Sequence, residues 1–357
     1  MTNQGTTDVA AVEQCLRDIF ARKIEQAKIM DGRYQELLRQ IEILVGRGGK
    51  RMRPQLVIKA YEAYGGTDRP AIVKAAASQE LFHAFILMHD DIIDRDLVRW
   101  GGPNITGHYL EEFSKLLEPG SARQHADNWA LLAGDICFGL SYETLTNSGF
   151  KPARLIKALQ LVQQALFTVV GGEMMDVALS IYPAGEEDLA DEHFIRLCNA
   201  KTSCYSFCMP LRLGALLAGA SASQDKHLNA FGRHIGVAFQ LRDDMLGIYG
   251  SESQLGKPIL SDLREGKQTM LMSHGLRLAT PPQRQKLESI LGNPNVSHAD
   301  LKTIQKILIN SGAKAEVEAV MEHHIRQARA ITLKAGFPKP LNDYLVELLA
   351  FSVKRSR

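Results

Sequence analysis

Proline placement is the strongest constraint on what this chain can fold into. An interior proline costs a helix about 3 kcal/mol, because it removes a hydrogen bond and crowds the preceding turn. Residues 153–182, 211–257 and 295–337 contain no proline, so long helices have room there. Within these runs apolar residues recur at helical spacing, as in Leu228, Phe231, Ile235 and Ala238, and again in Leu301, Ile304 and Leu308. Alternating strand patterns of useful length are missing. Pro54 suits the first turn of a helix carrying Leu56, Val57, Ala60 and Tyr61, and Gly65-Gly66 ends it. The expected fold class is all-α.

Breaks between these segments, at 65–70, 101–105, 119–124, 183–188, 250–262, 280–283 and 292–297, are short, and none reads as an interdomain linker. Length alone gives a prior of about two domains. The break pattern instead predicts one large antiparallel helical bundle over residues 10–357, after a flexible lead-in over residues 1–9.

The 42 basic and 40 acidic groups leave a net charge of +2, so no overall field concentrates nucleic acid or an anionic membrane. Nucleic acid is therefore not an expected partner, and anion binding must come from local clusters. The five cysteines (Cys15, Cys137, Cys198, Cys204 and Cys208) form neither a CxxC pair nor a zinc-ligand spacing, which fits reduced thiols. The polar start, Met1 to Asp8, lacks signal-peptide order, and no unbroken apolar run approaches the ~20 residues that span a bilayer. A cytoplasmic protein, not an integral membrane protein, is expected.

Carboxylates then stand out on apolar helices. In the segment from His83 to Asp94, ideal helix geometry puts His83, Asp90 and Asp94 within about 40° of one another, with Asp91 to the side. Clustered carboxylates repel unless a cation or proton joins them. Oxygen donors without sulfur suit Mg²⁺, which commonly bridges carboxylates to substrate phosphates. A second acidic pair, Asp243-Asp244, follows Gln240 on another apolar helix. Two such helices facing each other would hold magnesium ions that activate a diphosphate leaving group.

Basic groups complement them. Gly48-Gly49-Lys50-Arg51-Met52-Arg53-Pro54 puts three cations on a loop at a helix N-terminus, where free N–H groups already favour anions. Arginine forks match phosphate oxygens, and lysine adds a compact charge. Further on come Lys201-Thr202 and the stretch from Gly256-Lys257-Pro258 to Lys267-Gln268-Thr269.

Taken in order, GGKRMRP (48–54), ELFH (80–83), HDDIID (89–94), LLAGD (131–135), KT (201–202), GVAFQLRDD (236–244) and GKPILSDLREGKQT (256–269) resemble the trans-isoprenyl diphosphate synthases, or polyprenyl synthetases. The resemblance implies an all-α fold around a central cavity and an Mg²⁺-dependent condensation of isopentenyl diphosphate with an allylic diphosphate. It implies metal binding by Asp90, Asp91, Asp94, Asp243 and Asp244, and allylic diphosphate binding by Arg99, Lys201 and Lys267 with Lys257 nearby. Isopentenyl diphosphate falls to Lys50, Arg53 and His83, while Thr202 and Gln240 turn oxygen dipoles towards the carbocation. Family members are usually homodimers, and the small-residue stretch 211–220 suits either core or interface.

Two positions depart from the family pattern. The second motif reads Asp243-Asp244-Met245-Leu246-Gly247, with glycine in place of a third aspartate, and Arg99-Trp100-Gly101 stands where Arg-Arg-Gly is usual. Trp100 predicts a weakened or rearranged isopentenyl diphosphate site. The resemblance also makes Phe85, five residues before Asp90, a floor for the growing chain, with Phe82 below it, and favours a C20 product over C15. Wheel angles alone place Ile86 nearer the aspartate face than Phe85. The alternatives are a non-catalytic or modifying subunit of a heteromeric synthase, and a class I terpene cyclase, which Gly247 and Ser251 disfavour.

Overall fold

The structure, a computed structural model, describes residues 3–181, 189–251 and 259–354. The helices are α1 (Asn3–Ala27), α2 (Gly32–Arg47), α3 (Met52–Ala63), α4 (Arg69–Ile93), α5 (Ile105–Phe113), α6 (Pro119–Thr146), α7 (Pro152–Ile181) and α8 (Asp191–Cys198). A π-helix (Asn199–Cys208) leads into α9 (Met209–Ala218) and α10 (Ala222–Tyr249). There follow α11 (Ser261–Arg264), α12 (Met270–Leu278), α13 (Pro281–Ile290), α14 (His298–Asn310), α15 (Ala313–Lys334) and α16 (Lys339–Lys354). Among the described residues the only strands are β1 (Val98–Arg99) and β2 (Gly102–Pro103), an antiparallel pair of two residues each. The fold class is all-α.

Local chemistry sets the helix boundaries. Asp68 caps α4 by accepting from the Ala71 amide at 3.1 Å, with Pro70 in the first turn, and Asp94 closes it. At α10, Ser221 and Gln224 form a reciprocal capping box, and Gly250 ends the helix. Pro119 opens α6, and Pro152 opens α7 where the proline-free run 153–182 predicts a long helix.

The chain groups into two compact units, residues 1–159 with 213–219, and residues 160–212 with 220–357. In the first unit Phe20, Leu38, Ile41, Leu56, Ile72, Leu81 and Phe82 are among the largest fully buried side chains. A separate core in the second unit joins Leu241 and Met245 of α10 to Met270, Leu276, Leu308 and Val317.

Helix α1 begins at Asn3, within the residues 1–9 that the sequence reads as a lead-in. Asp8, inside that span, is buried and ion-paired with Lys59 at 2.7 Å and with Arg69. A carboxylate held by two cations from α3 and α4 fixes the first turns of α1, and that pairing is long-range in sequence.

Helices α4 and α7 are long and apolar enough to cross a membrane by length and composition, although neither holds an unbroken apolar run. In α4, 72% of the apolar window is buried in protein, which marks a core helix. In α7 the figure is 33%, and Phe167, Val170, Met174, Val177 and Ile181 are exposed on one face about 80° wide.

Candidate active site

In the first unit the functional side chains gather at the C-terminal end of α4. Asp90 and Asp94, one turn apart, are partly exposed, whereas Asp91 is buried. Arg99, on β1, donates to Asp91 through both Nε (2.9 Å) and Nη2, and lies 3.8 Å from Asp90 and 3.4 Å from Asp96. Burial pushes the Asp91 carboxyl up to about 6 against the pull of Arg99. Burial works against the charge on Arg99 too, but Asp91, Asp90 and Asp96 outweigh it and hold the guanidinium protonated. The hairpin therefore brings a cation to the acidic cluster.

Close backbone approach seats this helix end. A Cβ on Gly134 of α6 would fall 2.3 Å from the His89 ring, so glycine in the LLAGD stretch gives that imidazole its place. His89 Nε2 lies 3.2 Å from the Leu131 carbonyl.

The basic loop divides its three cations. Arg51 turns inward, donating to Glu80 and to the Val45 carbonyl at 2.6 Å each. Lys50 is exposed. Burial, together with the charges of Arg53, Arg99 and Arg51, holds His83 well below the ordinary histidine pKa. A neutral imidazole among arginines can donate one hydrogen bond to an anion without adding charge.

Trp100 packs on the same loop, since a Cβ on Gly48 would lie 3.1 Å from Trp100 Cη2. Arg47 donates to the Pro103 carbonyl at 2.9 Å, tying α2 to the hairpin. Among the described residues, positive φ outside glycine occurs at Arg51, Arg95 and Trp100, all flanking this site. Each such left-handed residue costs about 1–2 kcal/mol.

The second unit carries a recess lined by Asp176, Cys198, Lys201, Gln240, Asp244 and Lys267. Lys201 lies 2.9 Å from Glu173 and 2.5 Å from Asp176, and Lys267 stands 3.8 Å from Asp176. Thr202 donates its hydroxyl proton to Gln240 Oε1, and Gln240 Nε2 donates to Asp244 Oδ1 at 2.8 Å. Burial first, then Asp262 and Asp176, push Asp244 up to about 7, with Lys267 and Gln240 opposing. Asp243, its neighbour on α10, is partly exposed.

Lys201 and Thr202 sit in the π-helix, whose wider turns are a frequent feature of functional sites. Glycine again makes room, because a Cβ on Gly172 would meet the Lys201 backbone nitrogen at 2.5 Å, and one on Gly236 would meet Ser203 Oγ at 2.3 Å.

Asp176 and Glu173 were missed by sequence reasoning; the available signal was a pair of acids three residues apart in Gly172-Glu173-Met174-Met175-Asp176 on an apolar helix. Phe85 packs against His89 (ring centroids 4.9 Å), Phe138 (5.1 Å) and Phe82 (5.8 Å), and Phe82 is fully buried. Lys257 lies outside the described residues.

The family model described as polyprenyl synthetase matches residues 34–308. The chain belongs to the polyprenyl synthetase family. Relatives of this polyprenyl synthetase include the geranylfarnesyl diphosphate synthase of Aeropyrum pernix, 31% identical over 316 residues, covering 85% of this chain and 92% of that one. The geranylgeranyl diphosphate synthase of Saccharolobus solfataricus is 33% identical over 263 residues, 73% of each. Among solved structures, a geranylgeranyl pyrophosphate synthase from Corynebacterium glutamicum, complexed with isoprenyl diphosphate and magnesium, superposes with a TM-score of 0.88. It is 27% identical and covers 96% of this chain and 98% of its own. This polyprenyl synthetase is a prenyltransferase of the trans-prenyl diphosphate synthase kind.

Proposed function

We propose that the protein condenses isopentenyl diphosphate with an allylic diphosphate in an Mg²⁺-dependent reaction, releasing pyrophosphate and a trans-prenyl diphosphate of C15 to C20, with C20 favoured. The observation that carries this reading is the convergence of Lys201 and Lys267 on Asp176 in a recess shared with Gln240 and Asp244. Carboxylates and ammonium groups that neutralise one another here are the two halves of a metal diphosphate site.

The donor set fits the metal. Asp90, Asp91, Asp94, Asp243 and Asp244 offer oxygens alone, and Asp244 is held near neutrality by burial and by other acids, which a divalent cation would relieve. Bound Mg²⁺ supplies Lewis-acid neutralisation of the pyrophosphate leaving group.

Each residue then has a task. Lys201, Lys267 and Arg99 bind the allylic diphosphate, Lys201 and Lys267 exchanging their carboxylate partners for phosphate oxygens, and the resemblance adds Lys257 to this set. Lys50, Arg53 and neutral His83 bind isopentenyl diphosphate. Thr202 donates its hydroxyl hydrogen bond to Gln240, so its lone pairs remain to face positive charge developing on the allylic carbon. The C–O bond of the allylic diphosphate breaks first, the alkene of isopentenyl diphosphate attacks the resulting allylic carbocation to form the new C–C bond, and the released pyrophosphate takes the proton that the condensed cation loses. The aromatic group at Phe85 limits the length of the product.

We further propose that residues 10–357 act as one catalytic body, because the motifs are shared between the units and the family match spans both. The exposed apolar stripe on α7 supports a homodimer. A cytoplasmic location accords with the family. The subunit and cyclase alternatives draw no support from the site. Incubating pure protein with Mg²⁺, labelled isopentenyl diphosphate and a C5, C10 or C15 allylic starter tests the reading: one starter or more yields a longer diphosphate, and no elongation with all three would overturn it.

A further inference from the structure

The π-helix that carries Lys201 and Thr202 presents a different face to a second hollow. This is a cavity of about 340 Å³, within the size range of small-molecule sites, and it belongs entirely to the second unit. It shares no lining residue with the recess that holds Lys201, Gln240 and Asp244. Its floor is made by Leu161 and Ala165 of α7, Ala200 and Cys204 of the π-helix, and Met209 of α9. Small side chains at 165, 200 and 204 leave the gap, which longer residues packed to ordinary density would close.

The rim is cationic. Arg196 of α8 and Arg233 of α10 are exposed there, and among the described residues neither has a carboxylate within 4.0 Å. Arg212 also lines the cavity, but Asp225 neutralises it, accepting from its Nε at 2.8 Å and its Nη2 at 2.9 Å. Two guanidinium forks are thus left for an oxyanion, whose paired oxygens match their geometry. One wall holds a complementary group. Asn199 donates from Nδ2 to the Ile195 carbonyl at 2.9 Å, and its Oδ1 is buried with no hydrogen-bond partner. A buried acceptor without a donor carries a desolvation cost that a ligand hydroxyl removes.

We propose that this cavity binds a small amphipathic oxyanion at a site separate from the catalytic recess. Arg196 and Arg233 hold its carboxylate or phosphate head, a short apolar body lies on the floor, and a hydroxyl donates to Asn199 Oδ1. The α7 residues that line the cavity, Leu161, Gln164, Ala165 and Thr168, lie roughly 150° around that helix from the exposed apolar stripe. A dimer built on the stripe therefore uses another face of α7.

The test is isothermal titration calorimetry on the full chain, with Mg²⁺ and inorganic pyrophosphate present to occupy the catalytic recess. The probes are 3-hydroxyoctanoate, octanoate and octyl phosphate. Saturable binding at one site per chain is expected, and octanoate against octyl phosphate tells which head the arginine forks prefer. Loss of the hydroxyl, from 3-hydroxyoctanoate to octanoate, should weaken binding about fivefold. Arg196→Ala combined with Arg233→Ala should weaken every probe at least about tenfold. Both side chains are exposed, so this variant keeps the fold, which circular dichroism checks. Ala165→Phe fills the floor and should abolish binding. Absence of saturable binding by all three probes, or wild-type affinity in the folded double variant, overturns the inference and leaves the prenyltransferase reading intact. Equal affinity for octanoate and 3-hydroxyoctanoate overturns the contact to Asn199.

Discussion

The Arg51 guanidinium donates to the Glu80 carboxylate at 2.6 Å with 3% and 6% of the two side chains exposed. A buried pair of this kind penalises removal of either partner, because the survivor keeps an uncompensated charge. Arg51→Ala should therefore destabilise the protein by about 3–5 kcal/mol. Lys50→Ala, one residue away and exposed, should change stability by less than about 0.5 kcal/mol while raising KM for isopentenyl diphosphate. Urea denaturation and steady-state kinetics on both variants check the division of labour within one loop.

Trp100 stands where the family pattern carries an arginine, and its backbone is strained at φ 52°. A charge-assisted hydrogen bond contributes about 1.5–3 kcal/mol. Trp100→Arg should lower KM for isopentenyl diphosphate roughly tenfold and leave KM for the allylic substrate within twofold. An unchanged KM would remove Trp100 from the site.

Phe85 and Phe82 touch, yet their substitutions should read out differently. Phe85, in contact with His89 and Phe138, is the candidate floor, and Phe85→Ala should shift the product distribution by one or more five-carbon units on chromatography. Phe82 is fully buried, so Phe82→Ala should cost about 3–5 kcal/mol of stability. The same product spectrum from Phe85→Ala as from wild type would place the floor elsewhere.

Asp244 makes metal-free stability depend on pH. Its folded-state pKa, about 7, lies above the ordinary carboxyl value, so its contribution to stability is complete below pH ~4 and is lost as pH rises towards 7. Asp244→Asn removes that loss. Thermal melting without divalent cations should show the variant gaining on wild type between pH 5 and pH 8, and the same variant should bind Mg²⁺ more weakly.

Much of this was legible in the sequence because it is local. Proline and capping residues fixed where α4, α7 and α10 begin, and the helical period put Asp90 and Asp94 on one face with Asp91 aside. Contacts distant in the chain were not legible. Asp8 is helical because Lys59 and Arg69 hold it, Arg51 turns inward because Glu80 waits there, and Lys201 meets acids from α7.

The π-helix at Asn199–Cys208 fixes the length of this part of the chain. An i to i+5 ladder holds more residues per turn than an α-helix, as the Met209 amide bonding to the Cys204 carbonyl shows. Deleting one residue between Cys204 and Met209 would let the ladder close as ordinary α-helix, turning everything before it by roughly 100° relative to α9. Lys201 and Thr202 would leave their partners although neither had been altered. A single-residue insertion or deletion in this segment would therefore displace the site without changing any residue of it.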